Sequence, residues 1–246
     1  MKVVAIIPAR YNSTRLPGKP LKDICGKTML QRVYDRVAGI SEIDEIYVAT
    51  DDVRIMKYCE EAKLKCLMTS STHQTAANRL QEASEQIEAD YYLQINGDEP
   101  LINLDAIKAI IPKTVPQNIE YGMNVITPID KAVLVMDPTN IKMVFDDDMN
   151  ALYMSRTPIP YPYKSIEYTY YKHVGIIGYN KKMLDFYANS TPGRFETIEG
   201  IDTLRFLDYG KQLKLVKVDA CESLSVDTEK DLEVVRRIYQ EIMDGK

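Results

Sequence analysis

The chain has 246 residues, 45% of them hydrophobic, with 31 Lys and Arg against 36 Asp and Glu and a formal net charge of -5. This balance excludes intrinsic disorder and argues against a nucleic-acid partner, which needs a basic face. No run of about 18 apolar residues occurs, and the opening segment lacks a signal-peptide pattern, so we expect a cytoplasmic protein with no membrane partner. The length suits one domain spanning residues 1–246.

The first half of the chain alternates between strands and helices. The predicted strands cover residues 2–7, 45–50, 65–69 and 90–96, and the predicted helices cover 28–39, 53–63 and 76–89. Short apolar runs such as KVVAII are typical of strands buried on both faces of a parallel sheet. The alternation predicts an α/β fold with a doubly wound, mostly parallel sheet, whose ligands gather at the carboxyl ends of the strands.

The second half is more mixed. Strands are predicted at 123–129, 141–146, 173–180 and 213–218, and helices at 196–209 and 228–243. Between them, residues 157–171 are rich in Pro and Tyr. Because proline breaks regular elements, this segment is predicted to be an ordered loop or a contact surface.

The strongest functional signal is the segment PARYNSTRLPGKP at residues 8–20, directly after the first strand. No acidic residue occurs in residues 1–22. The segment offers three cations and two hydroxyls, which are groups that bind a polyphosphate: Arg10, Arg15, Lys19, Ser13 and Thr14. The alternative is a solvated basic turn. Neither the dinucleotide-binding glycine pattern nor the P-loop pattern is present.

Two carboxylates are candidates for Mg²⁺, which takes few protein ligands and completes its shell from substrate phosphates. Asp98 follows the fourth strand in NGDEP, and Asp227 precedes the last helix in SVDTEKDL. The alternative is a helix cap: Asp98 for the segment that follows it, and Asp227 or Thr228 for the last helix. The four cysteines, Cys25, Cys59, Cys66 and Cys221, form no C-x-x-C pair, so we expect reduced thiols and no zinc site.

These motifs resemble those of the 3-deoxy-manno-octulosonate (Kdo) cytidylyltransferases. The resemblance spans nearly the whole chain, through IIPARYNSTRLPGKPL, YVATDD, NGDEP, IKMVFD, ALYMSRTPIP, KHVGIIGY and VDTEKDLE. It implies a Rossmann-like nucleotidyltransferase fold and a homodimer formed through the second-half strands at about 121–180. It also implies that CTP reacts with a 2-keto sugar acid, with Mg²⁺, to give a CMP-sugar and pyrophosphate.

The resemblance also implies roles for individual residues. The catalytic residues would be Arg10, Lys19 and Asp98. The nucleotide would contact Ala9, Arg10, Ser13, Thr14, Arg15, Lys19, Thr75, Ala76, Arg79 and Asn96. The sugar acid would contact Arg156, His173, Tyr179 and Asp202, and the metal would be held by Asp98 and Asp227. Taken alone, His173 could equally be a structural histidine near a strand.

The chain departs from the family pattern in three places. The family's Ser-Gly-Thr-Asp/Glu-Arg segment, which lies near the cytosine, reads Thr75-Ala76-Ala77-Asn78-Arg79. Its Gln-Gly-Asp reads Asn96-Gly97-Asp98, and a late Glu-Gln pair reads Asp202-Thr203. The last two changes touch the acceptor pocket, where buried polar contacts discriminate strongly. We therefore expect the acceptor to be Kdo or a modified Kdo, such as an amino-modified form; the alternative is transfer to a phosphonate or other acidic acceptor.

Functions of other classes are less well supported. A non-catalytic nucleotide-binding module would need the basic loop but not both aspartates. A Rossmann oxidoreductase would need the missing glycine fingerprint, and a purely structural protein has no use for clustered cations.

Overall fold

The computed structural model describes residues 1–164, 167–219 and 224–245, which form strands and helices as follows. The strands are β1 (Val3–Ala9), β2 (Asp23–Ile24), β3 (Lys27–Thr28), β4 (Glu45–Thr50), β5 (Cys66–Met68), β6 (Tyr91–Ile95), β7 (Gly122–Pro128), β8 (Lys142–Phe145), β9 (Ala151–Ser155), β10 (Tyr171–Tyr179) and β11 (Leu213–Lys217). The helices are α1 (Met29–Ala38), α2 (Val53–Glu61), α3 (Ala76–Gln86), α4 (Leu104–Ala109), α5 (Ala132–Met136), α6 (Lys181–Asn189), α7 (Arg194–Glu199), α8 (Leu204–Asp208) and α9 (Glu229–Met243).

One large mixed sheet joins both halves of the chain. The strand order is β11-β7-β10-β6-β1-β4-β5, and β8 and β9 extend the sheet beside β10. The pairs β1–β4, β1–β6, β4–β5 and β11–β7 are parallel, whereas β10 is antiparallel to β6, β7 and β8. The α/β class, with a mostly parallel sheet and a mixed second half, is confirmed.

The central strand β1 shows why residues 3–7 in the run KVVAII are apolar at every position. Its side chains alternate between the two faces of the sheet. Val3, Ala5 and Ile7 join one buried cluster, with α1, α2 and α4. Val4 and Ile6 join a second cluster, with α3 and α6. Helical layers therefore cover both faces of the sheet. The carboxyl ends of the parallel strands stay uncovered, and ligands bind there in sheets of this kind.

Several elements differ from the sequence-based predictions. The single helix predicted over 196–209 is wrong, because Gly200 adopts a left-handed conformation (φ 63°) that ends α7 before α8 begins. The small elements β2, β3, α4 and α5 were not predicted, nor were β9 and α6. In the described part of 157–170 the chain forms no helix or strand, as expected for the Pro- and Tyr-rich segment.

The cysteines and the apolar segments were also the subject of sequence-based predictions. Cys25, Cys59 and Cys66 are free thiols, whereas Cys221 lies outside the described residues. Within those residues, no helix has the length and apolar character that crossing a bilayer requires.

Candidate active site

A cleft of about 450 Å³ opens where β1 and β6 end. Its walls come from the loop after β1, the start of α3, the turn after β6 and the residue before α9. The lining residues are Pro8, Ala9, Arg10, Asn12, Ser13, Thr14, Arg15, Lys19, Pro20, Gln74, Ala76, Arg79, Asn96, Gly97, Asp98 and Asp227. The carboxyl ends of neighbouring parallel strands meet at one edge, so the cleft lies where ligands of such sheets bind.

The basic loop after β1 is held in shape by its own backbone and one buried side chain. The Tyr11 carbonyl accepts hydrogen bonds from the N–H groups of Ser13 and Gly18, both at 3.0 Å. Gly18 has φ 68°, and a Cβ there would lie 3.1 Å from the Tyr11 ring. Leu16 is buried in the cluster that includes α9. The buried Leu16 thus anchors the loop against the cluster that includes α9, and the cations of the loop line the cleft.

Lys19 ties together the two candidate metal carboxylates. Its Nζ lies 2.7 Å from Asp98 Oδ2 and 3.0 Å from Asp227 Oδ1. Arg15 also pairs with Asp227 Oδ1 at 3.0 Å. One ammonium therefore joins residues that lie up to 208 positions apart in the chain. The cluster therefore brings together cations of the kind that bind phosphate and carboxylates of the kind that bind a metal.

Neither carboxylate serves as a helix cap. Thr228 caps α9 in a reciprocal box with Asp231, and Asn103 caps α4. Of the two capping candidates before α9, the structure therefore selects Thr228 rather than Asp227, and Asp98 does not cap α4. Among the described residues no group of three or more His, Cys, Asp and Glu could hold a metal. Two converging carboxylates with hard oxygen ligands fit Mg²⁺, which draws its other ligands from phosphates and water.

Two arginines set the charge of the opposite wall. Arg79 is fully buried; its guanidinium pairs with Asp51 Oδ2 at 3.0 Å and donates to the Thr69 hydroxyl. The Arg10 guanidinium donates to the His73 carbonyl at 2.6 Å. Burial, followed by the positive charge of Arg79, lowers the pKa of Arg10. Arg10 stays protonated at neutral pH and its side chain is exposed, so this wall offers a cation to a ligand in the cleft.

The start of α3 brings further predicted nucleotide contacts to the cleft. Thr75 is the N-cap, and its hydroxyl accepts from the Asn78 N–H at 3.2 Å. Ala76 follows on the cleft wall. Thr75 itself does not line the cleft, although Gln74 before it does. Gln74 was missed by the sequence reasoning, and its position beside a capping Thr is the signal that could have found it.

Asn96 depends on a close approach by β10. A Cβ on Gly175 would lie 2.0 Å from Asn96 Nδ2 and 2.7 Å from Glu99 Oε1. A glycine is therefore required in KHVGIIGY for the Asn96 amide to occupy its place. Asn96 Oδ1 accepts from Gln94 Nε2 at 3.4 Å. The motifs NGDEP and KHVGIIGY thus meet at this edge of the cleft.

The four predicted acceptor contacts lie outside the cleft lining. Burial lowers the pKa of His173 to about 4, so its imidazole is neutral at pH 7. Tyr179 is fully buried in β10 and packs on Phe206, with ring centroids 5.7 Å apart. Burial raises the pKa of Asp202, whose Oδ1 accepts from the Thr203 N–H at 3.0 Å.

Arg156 is committed to backbone carbonyls. Its Nε donates to the Glu199 carbonyl at 2.8 Å, and its terminal nitrogens donate to the carbonyls of Pro138 and Gly200 at 3.0 and 3.1 Å. It holds the break between α7 and α8 against β9. The structure therefore does not bring Arg156 together with the residues of the cleft.

A buried lysine beside Arg156 was not predicted from the sequence. Lys142 is fully buried, and its Nζ donates to the carbonyls of Asp137 and Arg156 at 3.0 and 2.5 Å. Burial lowers its pKa. Its position in the predicted strand at 141–146 gave no sign that its side chain would point inward.

Comparisons with known proteins agree with this geometry. A sequence model of the cytidylyltransferase family matches residues 4–216. An 8-amino-3,8-dideoxy-manno-octulosonate cytidylyltransferase from Shewanella halifaxensis is 38% identical over 238 residues, covering 95% of this chain and 97% of the relative. Its counterpart from Shewanella frigidimarina is 40% identical over 237 residues, covering 94% and 96%.

Solved structures agree as well. A CMP:2-keto-3-deoxy-manno-octonic acid synthetase complexed with CTP has a TM-score of 0.92 and 35% identity, covering 98% of this chain and 99% of that chain. The inositol-1-phosphate CTP transferase from T. maritima, at 13% identity and a TM-score of 0.67 with 98% and 96% coverage, shares the fold. The Rossmann-like nucleotidyltransferase fold and the resemblance inferred from the motifs are confirmed.

Proposed function

Since this chain belongs to the cytidylyltransferase family, we propose that it transfers CMP from CTP to a 2-keto sugar acid, either Kdo or a modified Kdo. One observation carries the proposal: a cleft lined by four cationic side chains also contains two carboxylates that share the Lys19 ammonium. A triphosphate needs the first set, and a metal that accompanies it needs the second.

In this reaction the acceptor's hydroxyl oxygen attacks the α-phosphorus of CTP. The new bond joins that oxygen to phosphorus, the bond between the α-phosphorus and the bridging oxygen breaks, and pyrophosphate leaves; the hydroxyl proton passes to solvent. The chain supplies position and charge rather than a covalent intermediate. Arg10, Arg15 and Lys19 bind the phosphates and stabilise the negative charge on the leaving pyrophosphate.

Asp98 and Asp227 would hold Mg²⁺, because both carboxylates already converge on one cation. When bound, the metal supplies charge neutralisation at the phosphates. Asp98 is fixed by the chain around it: its carbonyl accepts from the Val226 N–H at 2.9 Å. That bond also sets the distance between the turn after β6 and Asp227.

The acceptor is a Kdo-type sugar acid, and the names of the two Shewanella relatives support an 8-amino form. His173, Tyr179 and Asp202 are proposed to contact it. Because His173 is neutral at pH 7, it would bind as a hydrogen-bonding group rather than as a cation. Arg156 would act through the backbone it holds, at the carbonyls of Glu199 and Gly200.

We also propose a homodimer formed through the second-half strands. Large apolar side chains are exposed on β9 and the segment after it: Leu152 at 60%, Tyr161 at 82% and Tyr163 at 84%. Clustered apolar exposure of this kind is characteristic of protein–protein interfaces.

A pyrophosphate-release assay tests the proposed function. CTP and Mg²⁺ are supplied with Kdo, 8-amino-3,8-dideoxy-Kdo, a sialic-type acid or a small phosphonate, and blanks omit the acceptor or the metal. We expect release that depends on a Kdo-type acid. Release with the phosphonate alone would support the alternative acceptor class, and no release with any acceptor would overturn the proposal.

A further inference from the structure

An asparagine in the core of the sheet holds part of the neighbouring strand by its side chain. Asn124 is fully buried in β7, between the apolar residues Met123 and Val125. Its Nδ2 donates to the carbonyls of Val174 and Ile176 on β10, at 2.9 and 3.2 Å. The Val125 carbonyl lies 3.2 Å from the same nitrogen. Because three acceptors surround this atom, the donor end of the amide points toward β10.

The two carbonyls on β10 belong to a bulge. On one side of the bulge His173 pairs with Ile126, and on the other side Ile177 pairs with Asn124. Three residues of β10, at 174–176, therefore lie opposite a single residue of β7. Both strands are described in full, and the ladder between them skips this segment. A bulge disrupts the ladder hydrogen bonds of its strand, so the Asn124 amide supplies a donor at this point.

The bulge places Gly175 against the turn that follows β6. The register of β10 with β6, continued by one residue, sets Gly175 opposite Asn96. A Cβ on Gly175 would overlap with Asn96 Nδ2 and lie 2.7 Å from Glu99 Oε1. The side chains of the turn thus pack directly on the backbone between the two carbonyls that Asn124 binds. A shift of the bulge therefore moves Asn96, and Asp98 lies on the same turn.

The other end of the Asn124 amide lowers stability. Among the described residues, Asn124 Oδ1 has no hydrogen-bond partner, and it is buried. A buried carbonyl oxygen without a donor is unfavourable, and an apolar side chain would fill this place without that cost. Asn180, at the far end of β10, shows the contrast: its Oδ1 accepts from the N–H groups of Tyr121 and Met183, and its Nδ2 donates to two carbonyls. The bonds of Asn124 thus serve the bulge rather than a fully satisfied core.

We propose that Asn124 is a positioning residue for CMP transfer. By fixing the bulge in β10, it keeps Gly175 against Asn96 and holds the turn that carries Asp98 at the cleft. Asn124 itself does not line the cleft, so it acts on the reaction through the backbone of β10. Small displacements of groups that align substrates reduce the rate steeply. The inference rests on the proposed function, because the cleft is that of the same reaction.

Hydrogen exchange tests the turn directly and needs no turnover. In Asn124→Ala the bulge loses its side-chain donor, so we expect the amides of residues 96–102 to exchange at least about threefold faster than in the wild type. They include the Ile102 N–H, which donates to the Glu99 carbonyl at 3.0 Å. Asn180→Ala is the matched control, since it removes an equally buried amide, and it should leave exchange at 96–102 unchanged. Unchanged exchange in Asn124→Ala would overturn the proposal.

Pyrophosphate release with CTP and a Kdo-type acid supplies the kinetic readout. Well below the melting temperatures, we expect kcat/KM for CTP to fall by about tenfold in Asn124→Ala and to stay unchanged in Asn180→Ala. Asn96→Ala removes the side chain through which Asn124 acts. In that background, Asn124→Ala should therefore reduce kcat/KM by less than about twofold further. Multiplying losses in the double variant would show that Asn124 does not act through Asn96.

A second variant gives an answer if Asn124→Ala does not fold. Gly175→Ala adds a Cβ that meets Asn96, so it should reproduce the faster exchange and the lower kcat/KM while Asn124 is intact. Normal exchange and kinetics in Gly175→Ala, or equal effects of Asn124→Ala and Asn180→Ala, would overturn the role of Asn124. If the wild type releases no pyrophosphate with any acceptor, the proposed function is wrong, and hydrogen exchange still decides whether Asn124 holds the turn.

Discussion

The ammonium of Lys19 shows how a local site can oppose the net charge of a molecule. The chain carries a formal charge of -5, yet every charged side chain in its first 22 residues is a cation. Lys19 is 13% exposed and lies between two carboxylates. Electrostatic forces at these distances are set by the nearest groups and by burial, since salt screens distant surface charges within about 8–10 Å. An acidic protein can therefore bind a polyphosphate.

Replacing Asp98 by Asn tests the carboxylate cluster. The substitution keeps the shape of the side chain and removes its charge, so we expect turnover to fall by about 100-fold or more with an unchanged circular dichroism spectrum. Steady-state pyrophosphate release measures the loss, and Asp147→Asn serves as the exposed control. If turnover survives, or if the variant loses its fold, the assignment of Asp98 to the reaction is wrong.

The burial of His173 predicts a specific dependence of stability on pH. Burial lowers its pKa to about 4, whereas an exposed histidine titrates near 6.5. Between about pH 6.5 and pH 4, His173 is protonated in the unfolded chain and neutral in the folded chain. The free energy of unfolding therefore falls as the pH drops through that window. Above it, His173 makes no pH-dependent contribution.

We therefore expect the wild type to lose melting temperature more steeply than His173→Gln between about pH 6.5 and pH 4. Thermal melts in half-unit steps across this range measure the difference between the two proteins. Parallel curves would show that His173 titrates normally in the folded state.

Individual site residues were predictable only where local sequence carried the information. Lys19 and Asp98 follow strands β1 and β6, and the carboxyl ends of neighbouring parallel strands must meet. The carbonyls that hold Arg156 come from residues 138, 199 and 200. No local pattern announces such contacts, because a backbone carbonyl is present at every position.

At the scale of elements, the break between α7 and α8 at Gly200 is the point where Arg156 contacts these helices. The left-handed backbone of Gly200 ends α7, and its carbonyl accepts from Arg156. The apolar spacing over 196–209 continues through the break, so the periodicity predicts one helix. The glycine was the available signal, since it is the residue that most often ends a helix in this conformation.

Gly200→Ala should lower the free energy of unfolding by about 1 kcal/mol, because a side chain in the left-handed region is strained although no atom lies within 4 Å of the added Cβ. Urea denaturation measures the change. Gly39→Ala is the matched control: its φ of -79° suits any residue, and its Cβ would make an ordinary contact at 3.5 Å. Equal effects at the two glycines would contradict the strain argument.

The direction of β10 could not be predicted from its sequence. The mostly apolar run HVGIIGY would suit a parallel or an antiparallel strand equally well. Its pattern predicts only that the strand joins the sheet. The antiparallel direction follows from long-range pairing with β6 and β7. By contrast, the strands of the first half alternate with helices, and that local pattern was enough to predict them parallel.

At the scale of the whole molecule, the proposed homodimer predicts how the protein behaves in solution. Sedimentation at micromolar concentration should give twice the mass of one chain. Leu152→Lys, which places a charge on the exposed face of β9, should shift the protein toward the monomer. Ile242→Lys in α9, at a site 56% exposed, is the matched control and should leave the mass unchanged. A monomeric wild type would contradict the proposal.

Labelled CTP shows whether the cleft transfers CMP to a sugar acid. CTP carrying ³²P at the α-position is incubated with Mg²⁺, the wild-type protein and 8-amino-3,8-dideoxy-Kdo or Kdo, and the products are separated. We expect the label in a new CMP–sugar conjugate and none in the released pyrophosphate, and we expect Asp98→Asn to form both products at least about 100-fold more slowly. Unlabelled conjugate, or label only in free CMP whether or not the acid is present, would contradict the proposed transfer.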